Sequence, residues 1–299
     1  MSNRAQLRAQ ARQQRGTTQH GARQKIAAQR AASERRRRLL LAGGSLLAVI
    51  AIVGTFIGVK LTGTPSAAVP VNATADAAVA RAVTSVPASA LNAAGTGGAT
   101  PLSPIAGHQP LLTSGGKPEV FYVGAEFCPF CAAERWALTV ALSRFGTFSG
   151  LHFIHSTSND YAPNTPTLTF YKSSYHSKYL TFTPVELQTV TRAPLQKFTA
   201  AQSALFAKYD SPPYVSTQAK LTFPFVDLGN QALISGAQYS PTTLSGLTWG
   251  QVAAAIKNPD STIGKEVNGA ANMITAELCK LTGGQPASVC ASPGVKAAT

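Results

Sequence analysis

Acidic residues, aromatics and cysteines are each scarce in this 299-residue chain, and the places where they are missing are informative. Only 12 Asp or Glu stand against 26 Lys or Arg, a net charge of +14 that by itself suggests a nucleic-acid partner. That excess is local: residues 1–38 carry eleven Arg or Lys and one acid, Glu34, while the remainder is close to balanced. No aromatic residue interleaves the basic tail, which argues against nucleic-acid binding by base stacking. Between Lys60 and Gly116 there is again no aromatic residue, so nothing bulky is available to seed a core. Glycine-rich phosphate loops in a strand-to-helix context and nucleophile elbows are missing, which argues against nucleotide binding and serine hydrolysis. The four cysteines all follow residue 127. Whether they read as catalysts, metal ligands or disulfides depends on the compartment.

The compartment is written in residues 39–59, LLLAGGSLLAVIAIVGTFIGV, which contain no charge. At about 1.5 Å per residue in a helix, such a run spans a bilayer core of about 30 Å. Arg35, Arg36, Arg37 and Arg38 abut its start and only Lys60 follows its end, so the positive-inside rule puts the N-terminus in the cytoplasm. A cleavable export signal is the competing reading, but the apolar run exceeds the roughly 7–15 residues of a signal core. The expectation is a single-pass cell-membrane protein with a basic cytoplasmic tail (1–38), a transmembrane helix (39–59) and an extracytoplasmic remainder.

Residues 60–116 are dominated by Ala, Thr, Ser, Pro and Gly and read as a disordered, flexible linker. From Pro118 the texture becomes that of an α/β domain, expected over 117–282 with a tail at 283–299. Val120-Phe-Tyr-Val-Gly reads as a buried strand that enters a helix from Cys128 to Phe145; Leu151 to His155 then reads as the parallel partner of a right-handed β-α-β unit. A mixed stretch, about 156–218, reads as an insertion. After it come strands over Leu221–Leu228 and Ala232–Ser235, a helix over Trp249–Ile256 capped by Thr248, and a last helix over Thr262–Lys280.

Cys128 and Cys131 sit where the strand enters the helix. There the unpaired N–H groups and the helix dipole favour a thiolate, which makes Cys128 the expected nucleophile and Cys131, one turn on, the resolving thiol. Pro129 suits the first helical turn because its missing N–H is not needed there. A static disulfide and half of a zinc site are the alternatives; Cys279 and Cys290 would complete four sulfurs, but as neighbours of a short Gly-Gly-Gln-Pro loop they read better as a structural disulfide.

The stretch Ala125-Glu-Phe-Cys-Pro-Phe-Cys resembles the active site of the thioredoxin superfamily. The resemblance implies a thioredoxin-like domain with an inserted subdomain and a cis-proline facing the cysteines. Pro224 in Thr222-Phe-Pro-Phe-Val-Asp is the candidate, and it would bring the Phe223 backbone beside Cys128. Phe130 and Phe223 then become the substrate-binding surface. Two departures stand out: Tyr122 occupies the place of the family's buried carboxylate, with Glu126 as a possible substitute, and no histidine lies between the cysteines. Across about 118–281, Phe-Cys-Pro-Phe-Cys-Ala-Ala-Glu-Arg-Trp, Pro-Phe-Val-Asp and Leu-Cys-Lys-Leu-Thr-Gly-Gly-Gln-Pro also resemble the membrane-anchored family known as domain of unknown function 929.

Taken together these readings imply a membrane-anchored thiol-disulfide oxidoreductase, without metal or cofactor, acting on exported thiol or disulfide proteins together with a redox partner. A non-enzymatic adaptor on the same scaffold is the alternative, followed by a copper chaperone using the cysteines and a distant histidine such as His108 or His176. His152 and His155 point to opposite faces of a strand and do not form a joint site. Trp136, Phe145 and Trp249 read as core.

Overall fold

The computed structural model describes residues 73–299, with side chains from Asp76 onward. The basic tail (1–38) and the apolar run (39–59) lie outside the described residues. In chain order the elements are α1 (Ala73–Thr84), α2 (Ala88–Ala94), β1 (Ser103–Pro104), β2 (Thr113–Ser114), β3 (Lys117–Gly124) and α3 (Pro129–Ser143). Next come β4 (Thr147–Ser149), β5 (His152–His155), β6 (Pro166–Thr169), β7 (Ser174–His176), β8 (Thr181–Glu186) and α4 (Ala200–Tyr209). They are followed by β9 (Phe225–Leu228), β10 (Ala232–Ser235), α5 (Trp249–Lys257), α6 (Thr262–Leu281), α7 (Ala287–Cys290) and α8 (Pro293–Lys296).

This is a mixed α/β fold built on a mixed six-stranded sheet. The sheet runs β1, β10, β9, β3, with β2 beside the start of β3 and β8 along its length. β3 pairs parallel with β8, from Glu119 opposite Thr181 to Gly124 opposite Glu186, and antiparallel with β9. Successive β3 side chains point to opposite faces and both faces are covered. Val120 and Tyr122 join the core beneath the helices, while Phe121 and Val123 pack with Val185, Phe225 and the α4 residues Phe206 and Tyr209. Thirteen of the fifteen residues of α3 are buried, so it is apolar nearly all round rather than amphipathic, and its two charged residues need internal partners. Thr248 caps α5 as expected, in a reciprocal capping box with Gln251.

Four expectations are corrected. The stretch read as a flexible linker is largely folded from residue 73: α1 and α2 pack on the helical layer, Val83, Ala90, Leu91 and Ala94 are buried, and β1 pairs with β10. Its small residues are used for close backbone approach. A Cβ on Gly269 of α6 would lie 2.2 Å from the Thr96 carbonyl oxygen, and Asn272 of α6 donates to the Leu91 and Gly95 carbonyls at 2.8 and 2.9 Å. The second correction concerns the β-α-β unit. His152–His155 pairs antiparallel with β6 in a separate two-stranded sheet, and the parallel partner of β3 is β8. β8 contains Pro184, and because β8 is paired on one side only the proline is tolerated at that edge. The 156–218 stretch is consequently no separable insertion, since it supplies β8 and α4; the extra material between α3 and β8 is the pair of small hairpin-like sheets formed by β4 with β7 and β5 with β6. The tail over 283–299 also packs, with Val295 buried in the main core.

Candidate functional site

The site forms where β3 runs out. Leu187 donates to the Gly124 carbonyl and Glu126 to the Gln188 carbonyl, at 2.8 and 2.9 Å, so the β3–α3 loop is stitched to the end of β8. Thr157 donates to the Phe127 carbonyl at 2.9 Å and fixes the loop from its other side. Cys128 follows with extended backbone as the N-cap of α3, and Pro129 takes the first helical position.

Cys128 and Cys131 are both free thiols and both buried, Cys131 completely and Cys128 with 5% of its surface left. The Cys131 N–H donates to Cys128 Sγ at 3.2 Å, so a sulfur stands where a capping oxygen would. Cys128 Sγ in turn lies 3.7 Å from the Phe223 carbonyl oxygen. The Phe223–Pro224 peptide is cis and sets that carbonyl directly before β9. The structure thus brings together Cys128, Cys131, Phe223 and Pro224.

The two thiols are made unequal. Donation from the Cys131 thiol lowers the Cys128 thiol below its ordinary value; the Cys131 N–H and the Arg135 charge add to this and burial opposes it. Cys131 moves the other way: burial raises its thiol well above its ordinary value, and Cys128 reinforces the rise. The result is a lowered thiol at 128 beside a raised one at 131.

Beneath them lies a buried ion pair. Arg135, one turn beyond Cys131, donates through Nε to Glu186 Oε1 at 2.8 Å and through Nη2 to Glu186 Oε2 at 2.7 Å. Nη2 also donates to the Ala125 carbonyl at 2.8 Å, and both charged side chains are sealed from solvent. Burial opposes the charge on Arg135, but the Glu186 carboxylate overrides it and holds the guanidinium firmly protonated. Tyr122 lies on the same side of the sheet, its ring edge-on to Phe170 at 5.2 Å. Its hydroxyl and ring edge pass over Gly124, where an added Cβ would collide with them. Glu126 is largely buried, which raises its carboxyl above the ordinary value of 4.5.

Around the opening the side chains are aromatic. Phe130 is 39% exposed and stacks on Tyr161, itself 66% exposed, with ring planes 8° apart. Phe127 meets Phe223 edge-on at 5.8 Å, and the Arg192 guanidinium covers the Phe127 ring at 3.7 Å while bonding Asp160.

Residues 108–280 match the family described as Domain of unknown function (DUF929). The chain belongs to that family. No curated protein and no solved structure matches it. The DUF929 region takes in both cysteines of the pair, Arg135, Glu186 and Pro224. It stops short of Cys290, which is bonded to Cys279 and ties α7 to the end of α6.

Other candidates sit apart from this site. The Cys279–Cys290 bond takes those sulfurs away from Cys128 and Cys131, and no group of three or more His, Cys, Asp or Glu among the described residues is arranged to hold a metal. His155 packs against Trp249, whose indole donates to the Ile154 carbonyl at 2.8 Å; Trp136 is fully buried and donates to the Pro166 carbonyl at 2.9 Å. Sequence reasoning missed Arg135, Glu186, Tyr161 and Arg192. The signal for Arg135 was present: Glu134 and Arg135 are adjacent charges in a helix otherwise too apolar to be exposed.

Proposed function

We propose that this protein is a membrane-anchored thiol-disulfide oxidoreductase, carried on a thioredoxin-like domain and acting outside the cytoplasm on thiols or disulfides of exported proteins. The observation that carries the reading is the placement of the Cys128 thiol: it caps α3, accepts the Cys131 N–H, and faces the Phe223 carbonyl at 3.7 Å with 5% of the residue's surface left exposed. A substrate disulfide is attacked by Cys128 to give a mixed disulfide, which Cys131 then resolves. The thioredoxin-like assignment is supported by a parallel β3–β8 pair, an antiparallel β9–β10 extension, helices on both faces, and a cis-proline opposite the cysteines. Anchoring rests on the apolar run at 39–59; no helix among the described residues is long and apolar enough to cross a membrane.

A second reading, a non-enzymatic adaptor, is favoured by the exposed Phe130–Tyr161 stack beside the cysteines. One titration separates the two. The protein is equilibrated in thiol-disulfide buffers, alkylated, and read by mass spectrometry. The exchange reading expects the Cys128–Cys131 couple at roughly −270 to −120 mV and expects Cys128→Ser to abolish dithiol turnover. A couple locked oxidised below about −300 mV, or one that never oxidises, favours the adaptor.

A further inference from the structure

Asp210 is a wholly buried acid that the exchange reading leaves without a task. It ends α4, its own N–H donating to the Phe206 carbonyl, and no Lys, Arg or His among the described residues forms an ion pair with it. A carboxylate taken out of water without a counter-charge depends on hydrogen bonds to replace the lost solvation. Asp210 Oδ2 accepts the Thr222 N–H at 2.7 Å, and Oδ1 accepts the Ser235 hydroxyl at a longer 3.4 Å. The main-chain carbonyl of Asp210 accepts the Leu221 N–H at 2.9 Å. Burial raises the carboxyl to about 6, which leaves it ionised at neutral pH.

These contacts enclose Phe223 and Pro224 from both sides. Thr222 immediately precedes Phe223, and Ser235 precedes Gly236, whose N–H donates to the Pro224 carbonyl at 2.8 Å. Leu221 has left-handed backbone, φ +53°, a conformation that a leucine keeps only where its surroundings impose it. Asp210 supplies that restraint through two acceptors, one on each of the N–H groups of Leu221 and Thr222. What the strained turn carries into the site is the Phe223 carbonyl, 3.7 Å from Cys128 Sγ.

We infer that Asp210 is a positioning residue for Cys128: it clamps the turn at Leu221 and Thr222 and so holds the Phe223 carbonyl against the sulfur. This deepens the exchange reading and rests on it for its bearing on turnover. A carbonyl in that place accepts a hydrogen bond from the neutral thiol and repels the thiolate, so it restrains the charge that Cys131 favours from the other side. The thiol at 128 is set between two opposed contacts, one from α3 and one from a loop that the end of α4 fixes. The other titratable groups packed about the cysteines are Cys131 and Arg135 of α3, Tyr122 of β3, Glu126 of the following loop and Glu186 of β8. None of them bonds to Asp210.

The test reads the acidity of Cys128 from the rate of iodoacetamide alkylation against pH, on the full-length chain with the Cys128–Cys131 pair reduced, the modified cysteine being assigned by fragmentation mass spectrometry. Asp210→Ala removes both side-chain acceptors and frees the turn. The Cys128 midpoint is then expected to fall by about half a pH unit to one, the worth of one lost hydrogen bond. Asp210→Asn removes the charge but keeps an oxygen for the Thr222 N–H and an amide for the Ser235 hydroxyl, so it is expected to hold the wild-type midpoint. Equal falls in both variants assign the effect to charge alone and overturn the inference. An Ala variant that melts earlier with its midpoint unmoved has lost only a structural bond, and overturns it too. Should the Ala variant not fold, Asp210→Glu takes its place: the charge stays, the extra methylene displaces the carboxylate, and the midpoint is again expected to fall; a wild-type midpoint there refutes the clamp. Mixed-disulfide formation with oxidised glutathione is read separately. A wild-type protein that forms none sinks the exchange reading, while the hold of Asp210 on Cys128 is still decided by the alkylation curves.

Discussion

Replacing Glu186 with Gln tests whether the fold depends on the ion pair beneath the cysteines. The substitution keeps the shape of the side chain but removes its charge, leaving Arg135 as a cation with no counter-charge in a sealed site. One of the two contacts, at 2.8 and 2.7 Å, also turns from donor against acceptor into donor against donor. Breaking a buried pair from one side costs about 3–5 kcal/mol. With a urea slope of roughly 2–3 kcal/mol per molar for a domain of this size, the unfolding midpoint falls by roughly 1–2.5 M. The exposed pair of Arg192 and Asp160, with side chains 48% and 29% accessible, is the internal control: Asp160→Asn is expected to cost less than about 1 kcal/mol. A paired Arg135→Met and Glu186→Met variant is expected to recover most of the loss, because removing both charges removes the desolvation penalty with them. Urea melts of the four proteins decide the matter. If Glu186→Gln costs no more than Asp160→Asn, or if the double replacement costs as much as Glu186→Gln, the burial argument is wrong.

Two further predictions concern groups away from the cysteines. Burial pushes the Glu134 carboxyl from 4.5 up to about 7, against the Gln238 N–H that donates to it. A carboxyl raised by folding contributes stability below its unfolded value and loses it as pH rises through the folded one, so the protein is expected to lose about 2–3 kcal/mol between pH 4.5 and pH 7 from this group, and Glu134→Gln is expected to flatten that slope in melts across the range. The Cys279–Cys290 bond closes a loop of sequence separation 11, so Cys279→Ser is expected to cost about 3 kcal/mol and, under the exchange reading, to leave the rate at Cys128 unchanged; a loss of that rate without unfolding would show that the tail reaches the site.

The parts of the fold that could be read from sequence are those decided by neighbours in the chain. The run from Val120 into the helix after Cys128 announces itself because an apolar strand, a first-turn proline and two cysteines one turn apart are all local signals. Thr248 and Gln251 are legible as a cap for the same reason. The hidden parts depend on residues that meet only after folding. Nothing in the Ala-rich stretch before Ile105 signals a docked layer, because its partner is the small-residue face of α6, about 170 residues later. β8 carries a proline that is harmless only at an edge, and the sequence does not say which strand is the edge. Arg135 and Glu186 are 51 positions apart, and their pairing follows from the parallel register of β3 and β8.

That register also bears on how the two thiols are set apart. Arg135 is committed to Glu186 and adds only a smaller part, and Cys128 draws its lowered thiol mainly from hydrogen bonds donated by Cys131. This is a different arrangement from one that relies on a histidine between the cysteines, where an unpaired positive charge holds the thiolate. Under the exchange reading, hydrogen bonds favour a thiolate less strongly than an unpaired charge in the same sealed place would, so the disulfide form is less oxidising and the couple lies nearer the reducing end of the range for such proteins. Phe130 and Tyr161 then add contact area at the opening without altering the charge at the sulfurs. Affinity for a substrate and the poise of the couple are set by separate residues, so Phe130→Ala is free to weaken capture without moving the potential.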